Sequence, residues 1–219
     1  MVKVEFMQNY IAIIISGLAL ALASTRIFGA AVDRWEISEG HAIFSSDRLI
    51  ATQSSKFRAK ITTSRGNQVG VRVQFNGFIR DARPLGSGED RAQFGVYLGA
   101  SNQCNLVYIM WRLRPVNEIV VQVKFNPDAD TTEECGNRGY RTIAQTDDPE
   151  PHLIMPPIAN GARHMISASY SGETLNVLID EQAIWAGNIP GEFLNTEGFS
   201  GVRSDNVNVQ FNILEDGTI

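Results

Sequence analysis

From residue 69 onward the chain alternates. Val69, Val71, Val73 and Phe75 fall on one side of an extended backbone, with Gly70, Arg72, Gln74 and Asn76 on the other. Phe94, Val96 and Leu98 alternate with Gly95, Tyr97 and Gly99. Val107, Ile109, Trp111 and Leu113 alternate with Leu106, Tyr108, Met110 and Arg112, and Ile119, Val121, Val123 and Phe125 with Val120, Gln122 and Lys124. Later come Leu175, Val177 and Ile179, then Val207, Val209, Phe211 and Ile213 against Asn208, Gln210 and Asn212. Successive side chains of a strand point to opposite faces, so period two predicts half-buried strands that each give one row to a core. Helical periodicity is hard to find. Asn76-Gly77, Gly86-Ser87-Gly88 and Ser171-Gly172 sit between alternating runs, where tight turns need residues that tolerate positive φ. Together these features predict an all-β antiparallel sandwich.

Two stretches break the pattern. Residues 126–160 hold Pro127, Pro149, Pro151, Pro156 and Pro157, acidic residues and Cys135. Proline cannot donate to a sheet ladder, so this segment reads as a long excursion from the sandwich. At the N-terminus, Lys3 precedes an uncharged apolar run from Ile11 to Ala23 that ends in small residues. The run has the length of a signal-peptide core and is short for a membrane span. Ala21-Leu22-Ala23 and Gly29-Ala30-Ala31 are the two candidate cleavage motifs, while Arg26 would favour retention as an anchor. The expectation is a signal peptide over 1–31 and one sandwich domain over 32–219, secreted or periplasmic, with no membrane contact beyond the leader.

Composition narrows the function. The 219-residue chain carries a net charge of −5, which argues against nucleic acid as a partner. Cys104 and Cys135 are its two cysteines. In an exported protein they are expected to bridge, closing a loop of about thirty residues with roughly 3–4 kcal/mol of stabilisation. Their spacing matches no zinc site and no redox pair.

Two C-terminal stretches carry a family likeness. Residues 168–187 (ASYSGETLNVLIDEQAIWAG) resemble the hairpin of concanavalin A-like lectin and glucanase domains, with Glu181 where that pattern usually has Gly. Residues 198–211 (GFSGVRSDNVNVQF) are similar to the closing strand of the same group, which includes laminin-G-like and sugar-hydrolase-related sandwiches. The likeness implies a concanavalin-like jelly-roll sandwich. The scaffold hosts lectins, hydrolases, lyases and adhesion modules, so it names no activity.

Catalytic motifs are sparse. Glucanases of this fold set Glu-x-Asp-x-x-Glu on one strand, and no such run occurs. Glu36-Ile-Ser-Glu39 lacks the middle Asp, adjacent Glu89-Asp90 would face opposite ways, and Glu133-Glu134 and Asp147-Asp148 lie in the excursion. A lyase would need a Tyr or His base beside a cation that neutralises a uronate, but His41, His152 and His164 are scattered. No resident cofactor or metal is expected. Calcium is the ion exported sandwiches hold through loop oxygens, and Asp205, Asn206 and Asp180 would supply them. The alternative is that Ser204-Asp205-Asn206 caps a turn. The most usable constellation is a face. If 69–76, 92–99, 105–113 and 118–125 form one meander, its non-core side shows Arg72, Gln74, Tyr97, Tyr108, Arg112, Gln122 and Lys124. Aromatic rings stack on sugars, while amides and guanidinium groups bond hydroxyls and carboxylates. A solvated sheet face is also polar without any ligand. The leading expectation is an exported, non-catalytic module for an oligo- or polysaccharide, of anionic type. The alternatives are a glycoside hydrolase or polysaccharide lyase of the same fold, and an adhesion or structural module that uses the excursion.

Overall fold

The computed structural model describes residues 34–45, 48–51, 54–146 and 152–214. The leader expected over 1–31 and Asp147-Asp148 lie outside the described residues. Strands follow in the order β1 (Trp35–Glu39), β2 (Ala42–Ser45), β3 (Arg48–Ala51), β4 (Lys56–Ile61), β5 (Gln68–Phe78), β6 (Ala92–Ala100), β7 (Leu106–Arg114) and β8 (Glu118–Lys124). A short helix α1 (Thr132–Cys135) precedes β9 (Tyr140–Thr142), β10 (His152–Ile154), β11 (Arg163–Ser171), β12 (Thr174–Ile179), β13 (Gln182–Asn188), β14 (Phe199–Asp205) and β15 (Val207–Ile213). Among the described residues no helix is long and apolar enough to cross a membrane.

The strands form two antiparallel sheets. The front sheet runs β1-β4-β14-β6-β7-β8-β10, with β9 also paired to β8. The back sheet runs β13-β12-β11-β5-β15-β3-β2. The alternating apolar rows meet between them: Val71, Val73 and Phe75 from the back sheet, Val96, Ile109 and Val121 from the front, all buried in one cluster. Phe75 stacks on Phe94 across the layers at 6.2 Å, and Phe94 packs on Trp111 at 5.7 Å. Trp185 joins the same core. The period-two rows are therefore the core of a β-sandwich.

One expectation fails here. β6, β7 and β8 form the meander, but β5 pairs with β11 and β15 in the opposite sheet. Alternation specifies which side of a strand is apolar, not which strand lies beside it, and both layers show the same period. The connections decide the partition. Asn206, at φ 57, joins β14 in the front sheet directly to β15 in the back one. Its side chain binds the Arg83 and Arg91 carbonyls at 2.8 Å and accepts from the Arg83 amide at 3.0 Å. The layer change is thus tied to the loop between β5 and β6.

The two C-terminal hairpins follow local turn chemistry. Ser171 pairs with Thr174 around Gly172 at φ 63, and Ile179 pairs with Gln182 around Asp180 and Glu181. Both residues of the second turn have positive φ, 51 and 66, so Glu181 holds the left-handed conformation that Gly adopts without strain.

The proline-rich excursion returns to the fold. β9 and β10 extend the front sheet beyond β8, and α1 is pinned to the β6–β7 loop by the Cys104–Cys135 disulfide. A capping box starts α1: Glu134 accepts from the Thr131 and Asp130 amides at 2.9 Å, which hold its carboxyl below the usual range.

Candidate functional site

The outer face of the front sheet is where chemistry gathers. Strand register lays it out in rows. Lys56, Asp205, Gln93, Arg112 and Glu118 face one another across β4, β14, β6, β7 and β8. The next row is Arg58, Arg203, Gly95, Met110 and Val120, and the next Lys60, Gly201, Tyr97, Tyr108, Gln122 and Thr142. Lys124 lies opposite Leu106 and Tyr140.

This face is not an open wall of solvated residues. Every position of β6 is buried. Tyr97, Leu106, Tyr108 and Met110 form a second apolar cluster with Tyr140 and Phe199. Glycine makes this packing possible at one point: a Cβ on Gly201 would lie 2.4 Å from the Tyr97 hydroxyl. The Tyr108 ring is met edge-on by Tyr97 at 6.1 Å and stacked by Tyr140 at 6.2 Å. Two guanidinium groups flank it, Arg203 at 4.9 Å and Arg58 at 5.7 Å, while Lys124 lies 5.3 Å from the Tyr140 ring.

Beside this cluster opens a cavity of about 200 Å³, lined by Lys56, Arg58, Gln93, Tyr108, Gln122, Lys124, Tyr140 and Arg203 among others. The β5–β6 loop and the α1 segment wall it. They meet where a Cβ on Gly86 would come 2.7 Å from Asn137 Nδ2. Some of the charges in and beside it are matched. Arg203 donates to Asp205 at 3.0 Å, Gln93 donates to the same carboxylate at 2.6 Å, Arg112 donates to Glu118 at 2.6 Å, and Arg91 bridges to Glu89. Others are not. Arg58 is 6% exposed and its Nε has no partner among the described residues, nor has the Tyr108 hydroxyl. Lys124 is 1% exposed, and its ammonium reaches the Gln103 carbonyl at 3.5 Å, the outer limit of a hydrogen bond.

The titrations carry the imprint of this excess. Burial lowers the Lys124 pKa, and Arg58 and Arg203 add to it, against the opposing influence of Tyr140 and of Glu39 on the cavity wall. Burial and the neighbouring Arg112 and Arg203 bring Arg91 down to about 10. Burial raises Tyr108. For Tyr140, burial would also raise the phenol, but Arg203, which donates to it at 3.4 Å, and then Lys124 override this and hold it below its ordinary value. Burial works against the Arg203 charge, yet Asp205 and the two phenols hold that guanidinium well above its ordinary pKa.

The seven sequence candidates divide between the faces. Tyr108, Gln122 and Lys124 line the cavity. Arg112 sits beside it in its ion pair, and Tyr97 lines an adjoining cavity. Arg72 and Gln74 lie on the outer face of the back sheet, in a hollow with Arg163 and the His164–Asp180 pair (2.8 Å). Because β5 is in the other layer, these two and the other five lie on opposite outer faces and do not form one site. Arg58, Arg203 and Tyr140 were missed. Lys56-Phe-Arg-Ala-Lys-Ile61 alternates as plainly as the chosen runs, and Arg203 lies inside the closing-strand likeness. Tyr140 gave no signal, being in a proline-rich stretch.

The calcium oxygens are otherwise engaged. Asp205 accepts from Gln93 and Arg203, Asn206 caps the layer crossing, and Asp180 accepts from the Met165 amide beside His164. Asp180 sits by Met165, opposite Arg72, whereas Asn206 stands at the Phe78 end of β5. These three residues do not fit one ion. Among the described residues no three His, Cys, Asp or Glu side chains cluster as metal ligands.

No protein-family model matches the chain, and no curated protein is similar to it in sequence. In structure it is similar to a carbohydrate-binding module, CBM66 of Bacillus subtilis, with a TM-score of 0.56 and 10% identity over 82% of this chain and 92% of that one. A Bacillus subtilis protein with a galectin-like fold matches with a TM-score of 0.51 and 13% identity, over 83% and 88% of the two chains. At these identities the likeness is one of fold. The fold is the concanavalin-like β-sandwich that residues 168–211 resemble.

Proposed function

We propose that the front-sheet cavity binds an anionic sugar of an oligo- or polysaccharide, its carboxylate or sulfate seated among Arg58, Lys124 and Arg203. One observation carries this reading: Arg58 and Lys124 are buried cations without a carboxylate in hydrogen-bond contact among the described residues. A buried charge is costly unless an opposite charge compensates it, and a ligand anion would do so. The Tyr108 hydroxyl and Gln93 Oε1, also without partners, would bond the sugar's hydroxyls. The fold shared with CBM66, a carbohydrate-binding module, agrees with this role. So does an exported location, with the apolar run 11–23 as leader and a disulfide in the groove wall.

The test is titration calorimetry with a polyuronate, a sulfated galactan and a neutral glucan. Binding is expected for an anionic chain, absent for the glucan, weakened by salt and lost in Arg58→Met. Equal binding of the neutral glucan would refute the anion site.

Tyr140 favours a second reading, a polysaccharide lyase. A phenol held below its ordinary pKa by Arg203 and Lys124 is suited to take the proton next to a uronate carboxyl. The C–H electron pair then forms the double bond as the glycosidic C–O bond breaks, and the leaving oxygen takes up a proton. Release of unsaturated uronate, abolished in Tyr140→Phe while binding persists, distinguishes the lyase from the binding module.

A further inference from the structure

Arg58 faces two cavities. Besides the cationic one, it lines a neighbouring hollow of about 250 Å³ on the same outer face, bounded by Ser38, Lys60, Tyr97, Gln103 and Phe199. The two differ in charge. In the neighbouring hollow Lys60 pairs with Glu36 at 3.4 Å, and Asp130 accepts from Asn102. Apart from the shared Arg58, each charge there has its partner. Its wall is aromatic: Tyr97 and Phe199 meet edge to face at 6.2 Å, with Lys60 over Phe199 at 4.7 Å.

The hollows also share a rim. Gln103, on the second, accepts from the Thr132 hydroxyl, on the first, at 2.6 Å. The Cys104–Cys135 disulfide fastens the loops that carry these residues. A chain occupying one hollow and continuing past Arg58 enters the other.

We infer that the groove is built for a glycan in which a charged sugar is followed by an uncharged one. The inference rests on the anion site proposed above. An anionic ring in the first hollow answers the buried cations. A second anionic ring in the next hollow would lose its water with only the shared Arg58, already engaged by the first ring, to meet it, which disfavours chains charged at every residue. An uncharged ring loses less and gains the aromatic wall.

The experiment compares three tetrasaccharides of equal length by calorimetry. One carries a carboxylate on every ring, and two alternate an uncharged hexose with a ring bearing either carboxylate or sulfate. At least one alternating chain is expected to bind about tenfold more tightly than the fully charged one. Ser38 is exposed on β1, so Ser38→Trp plugs the second hollow without entering the core. That variant should bind the preferred chain about tenfold less tightly, with affinity for the single anionic sugar and the melting temperature unchanged. Equal or tighter binding of the fully charged chain, still lost in Arg58→Met, overturns the alternation and leaves the anion site standing. Failure of every probe to bind overturns both.

Discussion

Lys124 offers the most direct test of the electrostatic reasoning. Its ammonium is 1% exposed, reaches one carbonyl at 3.5 Å and lies 5.3 Å from the Tyr140 ring. Lys124→Met keeps most of the aliphatic stem and removes the charge. Lost cation–π attraction costs about 1–2 kcal/mol in such a desolvated place. The long hydrogen bond adds less than about 1 kcal/mol. Against this stands an effective desolvation penalty of several kcal/mol for an ion buried without a carboxylate in hydrogen-bond contact. The variant should therefore be more stable than the parent by about 1–2 kcal/mol, read as a rise of roughly 2–8 °C in melting temperature. It should also lose the anionic ligand. The pH profile supplies a second readout. Because burial sets the folded-state pKa of Lys124 below its ordinary value, the unfolded chain holds more protons between the two values. Stability of the parent thus rises with pH through that window, towards 10.5, and this component is missing from the variant. Thermal unfolding of the ligand-free proteins at neutral and alkaline pH measures both effects. A variant that is clearly less stable than the parent and still binds the anionic chain would refute the reasoning.

Three further outcomes follow from particular contacts. Arg112→Met removes the guanidinium that Glu118 contacts at 2.6 Å in a buried pair and should cost about 1.5–3 kcal/mol in urea unfolding, the worth of a charge-assisted hydrogen bond. The double variant Arg112→Met/Glu118→Met should recover most of that. Replacing Cys104 and Cys135 by Ala releases a loop with 31 residues of separation, which the chain-entropy model values at about 4 kcal/mol. Unfolding of the parent with and without reductant checks it, and ligand affinity should fall in parallel because the groove wall loosens. Glu181→Gly relieves a non-glycine φ of 66 and should stabilise by about 0.5–1 kcal/mol, net of the greater freedom of Gly in the unfolded chain. No change in the midpoint would mean the turn is unstrained.

The strands were legible because their signal is local. The alternating runs beginning at 69, 92, 105 and 118 are β5 to β8, and the valine row of β5 is buried as its period demands. The Cys104–Cys135 bridge was legible from two cysteines and a leader-like run. The site was legible in part. Tyr108, Gln122 and Lys124 stand on the solvent-side register of strands with clear alternation, and all three reach the cavity. Arg58 and Arg203 alternate just as clearly, but nothing local marks β4 and β14 as the neighbours of β6. Tyr140 sits in a three-residue strand that pairs with β8, a partner that nothing local in the excursion marks.

The amino-acid order by itself determined which side of each strand faces inward, where the chain turns, and that the fold is a two-layered antiparallel sandwich. Side-chain periodicity and turn chemistry act within a few residues, so they can be read from a linear chain. The tertiary structure alone decided that β5 belongs to the back layer, that the excursion folds over the front sheet, and that three cations converge on Tyr108 and Tyr140. Those arrangements depend on hydrogen-bond pairing and burial between segments far apart in the chain. A lysine becomes a buried charge with no carboxylate in contact only when other segments close around it.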